Sequence, residues 1–400
     1  MRATTKTDQP MEKGRVLLAA RYLWGYEGVS LQLRSLANRL QDQGWTVGLV
    51  SGTDYERRRQ YDTLKWFDDN LRHHFVPFPD RLDWSKGIQF LQALQNLHRV
   101  IRAFSPDLIH IHSLSLSPYF FFLRNIHKKP LVSTVHSNPA LERRDIKVGA
   151  AINRWLPDFL GDELIAISTD LARSFVEDLN VPPDRVHVIH HGIDSQHFRP
   201  PTDQERREAR ASFGIHPCEQ VVCLVGQLEP VKGHRVLLDS VKTLREDGQS
   251  IRAICAGEGN LRDDLLRYTD TLGLGTSVSF PGFVDSRSVY WASDIMVLPS
   301  YREGFPLVVP EAMLCGLPVI RTPAAGAEDQ IDDGYNGFII PFNSPLDLTR
   351  RIQDLIHRPA KRAKLGRNAL DTARARFSLD ESMTLVQSLY LSMINNDGDI

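Results

Sequence analysis

Asp294-Ile-Met-Val-Leu-Pro-Ser-Tyr-Arg-Glu303-Gly-Phe-Pro-Leu-Val-Val-Pro-Glu311-Ala-Met-Leu314 reads as three consecutive pieces of structure. Asp294–Pro299 is a buried-strand run, a loop carries Glu303, and Pro310–Leu314 opens an apolar helix that carries Glu311. A carboxylate just after a strand and another entering the next helix both face the carboxyl edge of a parallel sheet, where open α/β sheets bind ligands. A carboxylate accepts two hydrogen bonds from adjacent hydroxyls, and a sugar and a ribose each present such a pair. Two ordinary surface acids are the alternative, since an acid in a helix first turn is favoured by the helix dipole anyway. Gly304-Phe-Pro306 between the two acids, and the glycine-rich turns around them, favour a site.

The strand–loop–helix pattern recurs on both sides of this stretch. Arg15–Ala20 is a strand run, and Leu33, Leu36, Ala37 and Leu40 follow at helical spacing. Gly44 closes that helix before the strand Thr46–Val50. Further strand runs are Leu108–Ile111, Leu131–Val135, Leu164–Ile167 and Val186–Ile189. The rhythm breaks at Phe198-Arg-Pro-Pro-Thr202 and a charged run. It restarts with strands at Val221–Val225, Ile251–Ile254, Ser277–Phe280, Ile295–Leu298, Pro318–Ile320 and Gly337–Ile340. Strands alternating with helices predict α/β architecture with two doubly wound parallel sheets. The expected domains are residues 1–198 and 199–377, followed by a helix in 378–400. Ser378-Leu-Asp-Glu381 reads as that helix's capping box, and Leu379, Met383, Val386 and Tyr390 as its apolar stripe. The stripe packs either on its own domain or back on the first.

Bulk composition excludes several classes of function. At 400 residues, with 42% apolar and 24% charged residues, the chain has the make-up of an ordinary globular protein with room for two cores. A net charge of −1, with the first half slightly basic and the second slightly acidic, gives no field that would recruit nucleic acid. No apolar run is long enough to span a bilayer, and the first residues lack an apolar signal segment. A cytoplasmic location is therefore expected. Four cysteines without a CxxC pair read as free, buried thiols. Tyr119-Phe-Phe-Phe-Leu123 is read as a buried helix face, with peripheral contact at the inner face of a membrane as the alternative.

Gly226-Gln-Leu-Glu-Pro-Val-Lys232-Gly233 directly follows a strand. A glycine there lets backbone approach a ligand, and the lysine can neutralise phosphate. An ordinary strand-to-helix turn with a solvated lysine is the competing reading. Trp24-Gly-Tyr-Glu-Gly28-Val-Ser30 follows the first strand in the same manner. No G-x-G-x-x-G stands after that strand, and Gly257-Glu-Gly259 has Arg262 where a third glycine would be, which argues against a dinucleotide dehydrogenase. His110, His112 and His136 at strand ends invite zinc, but no neighbouring Cys or HExxH supports it. A ligand-hydroxyl partner or a satisfied interior histidine is the better reading of each. D-x-D, which would hold a nucleotide diphosphate through a cation, occurs only as Asp397-Gly-Asp399 at the chain end. No metal is expected.

Together these motifs resemble the retaining glycosyltransferases of GT-B fold, family 4 (glycosyl transferases group 1), over nearly the whole chain. Glu303-x7-Glu311 followed by Ala-Met-Leu-Cys-Gly-Leu-Pro-Val319 is similar to the family signature. The resemblance implies that Glu303 meets donor-sugar hydroxyls, Glu311 binds the ribose, and Gly304, Phe305, Pro306 and Leu307 line the donor. It makes Gly226, Gln227 and Lys232 a diphosphate site, with Lys232 also catalytic, and places His136 near the donor sugar. Gly28 falls in the first-domain glycine loop, with Glu27 where a glycine is usual. Phe280-Pro-Gly-Phe283-Val284 resembles the segment that meets the base, and Val188–Asp194 with Phe198 the interdomain segment. The implied function is transfer of a sugar from a nucleotide diphosphate sugar to a glycan, lipid-linked or small-molecule hydroxyl, with retention and no cofactor. A sugar-nucleotide epimerase, a phosphorylase and a non-catalytic binding partner are the alternatives. Asp54–Trp84 is the expected acceptor region.

One position departs from the family: Gln227 stands where an arginine is usual, so a bidentate, permanently charged donor to phosphate is missing. Loss of one preorganised donor to developing charge costs roughly 10²–10³ in rate unless another cation substitutes. Arg21, Arg302 and Arg321 are the candidates by position.

Overall fold

The structure, a computed structural model, describes residues 13–21, 23, 28–52, 71–78, 87–136, 156 and 158–396. Strands β1 (Gly14–Ala20), β2 (Trp45–Ser51), β3 (Arg72–Phe75), β4 (Leu108–Ile111), β5 (Leu131–Val135), β6 (Glu163–Ala166) and β7 (Val186–Val188) form one sheet in the order β3-β2-β1-β4-β5-β6-β7. Strands β8 (Gln220–Val225), β9 (Ile251–Ala256), β10 (Val278–Gly282), β11 (Ile295–Leu298), β12 (Val319–Arg321) and β13 (Gly337–Ile339) form a second in the order β10-β9-β8-β11-β12-β13. Every strand pair in both sheets is parallel. Both orders reverse direction after their first-formed strand, between β1 and β4 and between β8 and β11. This is the doubly wound architecture that the alternating pattern predicts, and it creates one topological switch point per sheet.

Central strands covered by helices on both faces are built largely of apolar residues. β4 (Leu-Ile-His-Ile) and β11 (Ile-Met-Val-Leu) are buried at every position. β1 lies in register with β2 through Val16 and Val47, and β8 with β9 and β11 through Val222, Ala253 and Ile295. The cores follow from these strands. Leu17, Val50, Ile109 and Leu131 pack with Leu97, Phe104 and Phe120 in the first unit; Val222, Ile251, Val297 and Ile320 pack with Leu237, Val241 and Leu348 in the second. β3 (Arg-His-His-Phe) escapes sequence reading because it is a polar edge strand paired on one side only, to β2.

The chain's first compact unit runs to Ile167, resumes over Leu171–Ile189 and takes in the chain from Met383. The second comprises Ser168–Asp170 and His190–Ser382. The charged run after Pro201 is the helix Asp203–Ser212, started by a capping box between Thr202 and Glu205. At the chain's end the helix Leu379–Asn396 carries Met383, Val386 and Tyr390 on its buried face. Ser378 Oγ accepts from Glu381 N–H at its start. The indole of Trp45 donates to Gln387 at 3.1 Å, and Tyr390 hydrogen-bonds His110 Nδ1.

Cys223, Cys255 and Cys315 are buried free thiols, but Cys218 is exposed, which corrects the expectation for that residue. Tyr119, Phe120 and Leu123 are buried and Phe122 is exposed, so the aromatic run is chiefly a core-facing helix stripe. Among the described residues no helix is long and apolar enough to cross a membrane. Glu27, Asp397, Asp399 and most of Asp54–Trp84 lie outside the described residues.

Burial keeps the Tyr390 hydroxyl protonated, so it is the donor to His110, whose Nε2 pairs with Thr134 Oγ1 at 2.7 Å. Tyr390→Phe leaves a buried imidazole nitrogen without its donor. The expected loss is about 1–3 kcal/mol, read as a lower urea midpoint for the transition that includes the first unit.

Candidate active site

At the second sheet's switch point the chain leaves β8 through Gly226. The following turn is laid directly on the β9 exit: Gly226 N–H donates to Ala256 O at 2.9 Å and Leu228 N–H to Glu258 O at 2.9 Å. A Cβ on Gly257 would stand 2.0 Å from the Gly226 carbonyl oxygen, and one on Gly259 2.5 Å from that of Leu228. The Gly257-Glu-Gly259 pair is thus explained by backbone packing. Pro230–Lys232 then forms a single 3₁₀ turn, and Gly233, at φ 71°, starts the helix His234–Glu246.

The loop leaving β11 meets this turn. The Pro299 carbonyl oxygen lies 2.1 Å from where a Cβ of residue 233 would be, so only glycine fits, and Tyr301 N–H donates to Val231 O at 2.8 Å. That contact brings Lys232 to Glu303. The ammonium donates to Oε1 at 2.9 Å and to Oε2 at 3.0 Å, with side chains 19% and 7% exposed. Two residues 71 positions apart, both predicted for the site, are therefore joined in one partly buried ion pair.

Glu311 lies in the first turn of the helix Val308–Leu314. Tyr290 Oη donates to its Oε2 at 2.8 Å and Ser286 Oγ at 3.4 Å. Burial raises the carboxyl to about 7 against the pull of these two donors. Tyr290 and Ser286 were not foreseen; they come from a helix, Ser286–Ala292, whose apolar pattern signals only packing.

Phe305 is buried, its ring stacked on His190 with centroids 5.1 Å apart and set edge-on to Phe377 at 5.4 Å. Its side chain is a structural anchor, and its backbone is what can face a ligand. Pro306 O accepts from Gln330 Nε2 at 3.1 Å, the Gly304 carbonyl abuts Gly326, and Leu307 occupies the helix N-cap. Phe283 is 58% exposed just beyond β10, with Val284 half-buried after it. Gln227 is exposed on the turn.

Arg321 is not a substitute for the missing arginine. It is fully buried and spends its guanidinium on the carbonyls of Thr322, Ala324 and Ala325 and on the Gln330 side chain. Burial lowers it to about 10, and the negative charge of Glu303, Asp170 and Asp329 opposes that fall. Arg302 is exposed, and Arg21 belongs to the first unit.

In the first unit Gly28 begins the helix Gly28–Asp42. His110 lies in β4, His112 follows it directly, and His136 follows β5. His112 Nδ1 and His136 Nε2 are 3.2 Å apart with their rings stacked, and the His110 ring lies 4.1 Å from that of His112. Burial lowers His110 to about 3 and His136 to about 4, so both are neutral at physiological pH and act as hydrogen-bonding groups. Among the described residues no three His, Cys, Asp or Glu side chains gather as a metal-binding group.

Because the folded state holds Glu311 protonated up to about 7, against 4.5 unperturbed, rising pH through this window destabilises the fold. Glu311→Gln removes that slope. Its melting temperature relative to the unmodified protein should climb between pH 5 and pH 8, by the equivalent of up to about 3 kcal/mol. A constant difference across the range would refute the burial argument.

Comparison with known proteins agrees with this geometry. Residues 205–372 match the family described as glycosyl transferases group 1, and residues 26–197 match Glycosyltransferase Family 4. A D-inositol 3-phosphate glycosyltransferase of Rhodococcus opacus is 30% identical over 280 residues, 66% of this chain and 62% of that protein. One from Corynebacterium glutamicum is 29% identical over 311 residues, 73% of each. The chain thus spans between about three-fifths and three-quarters of the length of these relatives. Among solved structures, a glycosyltransferase from Rickettsia africae superposes with a TM-score of 0.82 at 17% identity, covering 96% of this chain and all of that one. HepE of Anabaena in complex with UDP gives 0.79 at 22% identity, covering 94% and 100%. With two doubly wound sheets, the Glu303–Glu311 signature at a switch point and family matches over both halves, the chain belongs to the family 4, group 1 glycosyltransferases of GT-B fold.

Proposed function

We propose that the protein transfers a sugar from a nucleoside diphosphate sugar to an acceptor hydroxyl, with retention of anomeric configuration and without a metal ion. The observation that carries this reading is the Lys232–Glu303 pair at the second switch point, with Glu311 in the first turn of the helix that follows. Lys232 supplies positive charge for a diphosphate, Glu303 accepts hydroxyls of the sugar, and Glu311 takes the ribose pair. The turn after Gly226 and the amino end of the helix His234–Glu246 add backbone dipole to the same place.

In the reaction the bond between the anomeric carbon and the phosphate oxygen breaks through an oxocarbenium-like state. The electron pair goes to the diphosphate, where Lys232 stabilises it. The acceptor hydroxyl attacks the same face and gives its proton to the departing phosphate oxygen. His136, being neutral, offers a hydrogen bond to substrate. The relatives' name makes D-inositol 3-phosphate the first acceptor to try, followed by glycan and lipid-linked acceptors. The exposed, uncharged Gln227 favours a second reading, nucleotide binding without turnover.

Purified protein incubated with UDP-, GDP-, ADP- and TDP-sugars and these acceptors, with and without EDTA, tests the proposal. One donor should be consumed with matching glycoside formation regardless of EDTA, and the product linkage should keep the donor's anomeric configuration. Loss of activity with EDTA, an inverted product, or donor binding without product overturns the corresponding part. Gln227→Arg restores a charged donor at the leaving group and should raise turnover by tenfold or more. An unchanged rate would show that the diphosphate does not depend on that position.

A further inference from the structure

The ion pair that assembles the site also occupies both of its working groups. One ammonium bonds both oxygens of Glu303, leaving that carboxylate fewer lone pairs for a sugar hydroxyl and the lysine fewer N–H groups for phosphate. The candidate cations named above do not relieve the conflict. Gln227 is uncharged, Arg321 is spent on four acceptors, and Arg302 is exposed. His234, next to Gly233, is 2% exposed with neither ring nitrogen hydrogen-bonded; burial and the neighbouring Lys232 lower it to about 4, so it is neutral. The Lys232–Glu303 unit therefore carries no net charge toward a ligand bearing a diphosphate.

Building on the donor-site reading above, we infer that Lys232 changes partners during each cycle, bonding Glu303 in the donor-free protein and the diphosphate in the donor complex. The exchange frees the oxygens of Glu303 for the donor sugar when the diphosphate arrives. It also gives Glu303 a second task, recapturing the lysine and expelling the nucleoside diphosphate after transfer.

The geometry suits such an exchange. The backbone that carries Lys232 is fixed, by the close approach of Gly233 to Pro299 O and by the Tyr301–Val231 hydrogen bond. The side chain itself passes over Gly226: a Cβ there would lie 3.8 Å from the lysine Cδ and Cε, with no nearer neighbour. The ammonium can thus turn about its own stem while the loop stays in place. Phosphate competes well for it, because a charge-assisted bond to a doubly charged diphosphate replaces one to a singly charged carboxylate. A site with a permanent arginine at 227 would need no such exchange.

Nucleoside diphosphates without a sugar isolate the effect, since they make no use of the hydroxyl contact at Glu303. Calorimetric titration of UDP, GDP, ADP and TDP would be run on the unmodified protein, Glu303→Gln, Lys232→Met and the double variant. Glu303→Gln should bind the preferred diphosphate about tenfold more tightly while turning over more slowly, and Lys232→Met should bind it more weakly. In the Lys232→Met background the Glu303→Gln gain should disappear. Equal or weaker binding by Glu303→Gln overturns the exchange. The same gain in both backgrounds also overturns it, because removal of a negative charge then explains the effect without the lysine. If the unmodified protein and all three variants bind no diphosphate, the donor-site reading itself fails and the exchange falls with it.

Discussion

The Pro299 carbonyl oxygen sits where the first side-chain atom of residue 233 would begin. That single steric constraint governs the candidate site. Glycine at 233 lets the β8 and β11 exits touch, and their touching places Lys232 against Glu303. Any side chain there would have to push the two loops apart, and φ of 71° would strain it even with space available. The Gly257–Gly226 approach repeats the device one strand further along the sheet. Parallel strands end at one edge, and their exit loops can converge only where backbone meets backbone.

Burial then sets the charge states of what has converged. Glu303 is bonded by the Lys232 ammonium, whereas Glu311, held by the neutral donors Tyr290 and Ser286, is pushed by burial up to about 7. Arg321 stays charged in the interior because four acceptors surround it. Neutral imidazoles in the first unit follow the same rule, since desolvation works against histidine's cationic form. Two acids of the same signature thus have different partners, a lysine for one and a phenol for the other.

Much of this was legible beforehand, for identifiable reasons. β4, β5 and β11 are short, largely apolar runs between polar turns, so their pattern and length located them at their observed bounds. Edge strand β3 offered no such signal, because a strand paired on one side tolerates Arg-His-His. Glu303 and Lys232 stood out because they follow strands in glycine-bearing turns, and Glu311 because it enters the helix next after Glu303. Tyr290 did not, because an aromatic on an apolar helix face looks like any core residue until its hydroxyl is seen on Glu311. Arg321 misled for the converse reason: a strand-end arginine resembles a phosphate ligand until its four acceptors are counted.

The sequence by itself determined the two parallel sheets, the strand exits that bear chemistry, and the family, since alternation of apolar runs and short motifs are local properties of a chain. Tertiary structure alone decided that Lys232 and Glu303 are partners, that Glu311 is near neutrality, and that Arg321 is unavailable. Each of these depends on which groups lie within a few ångströms across 9 to 71 positions of chain, and on how much water burial has removed from them. Neither distance in space nor loss of solvent is encoded in the neighbours of a residue along the sequence.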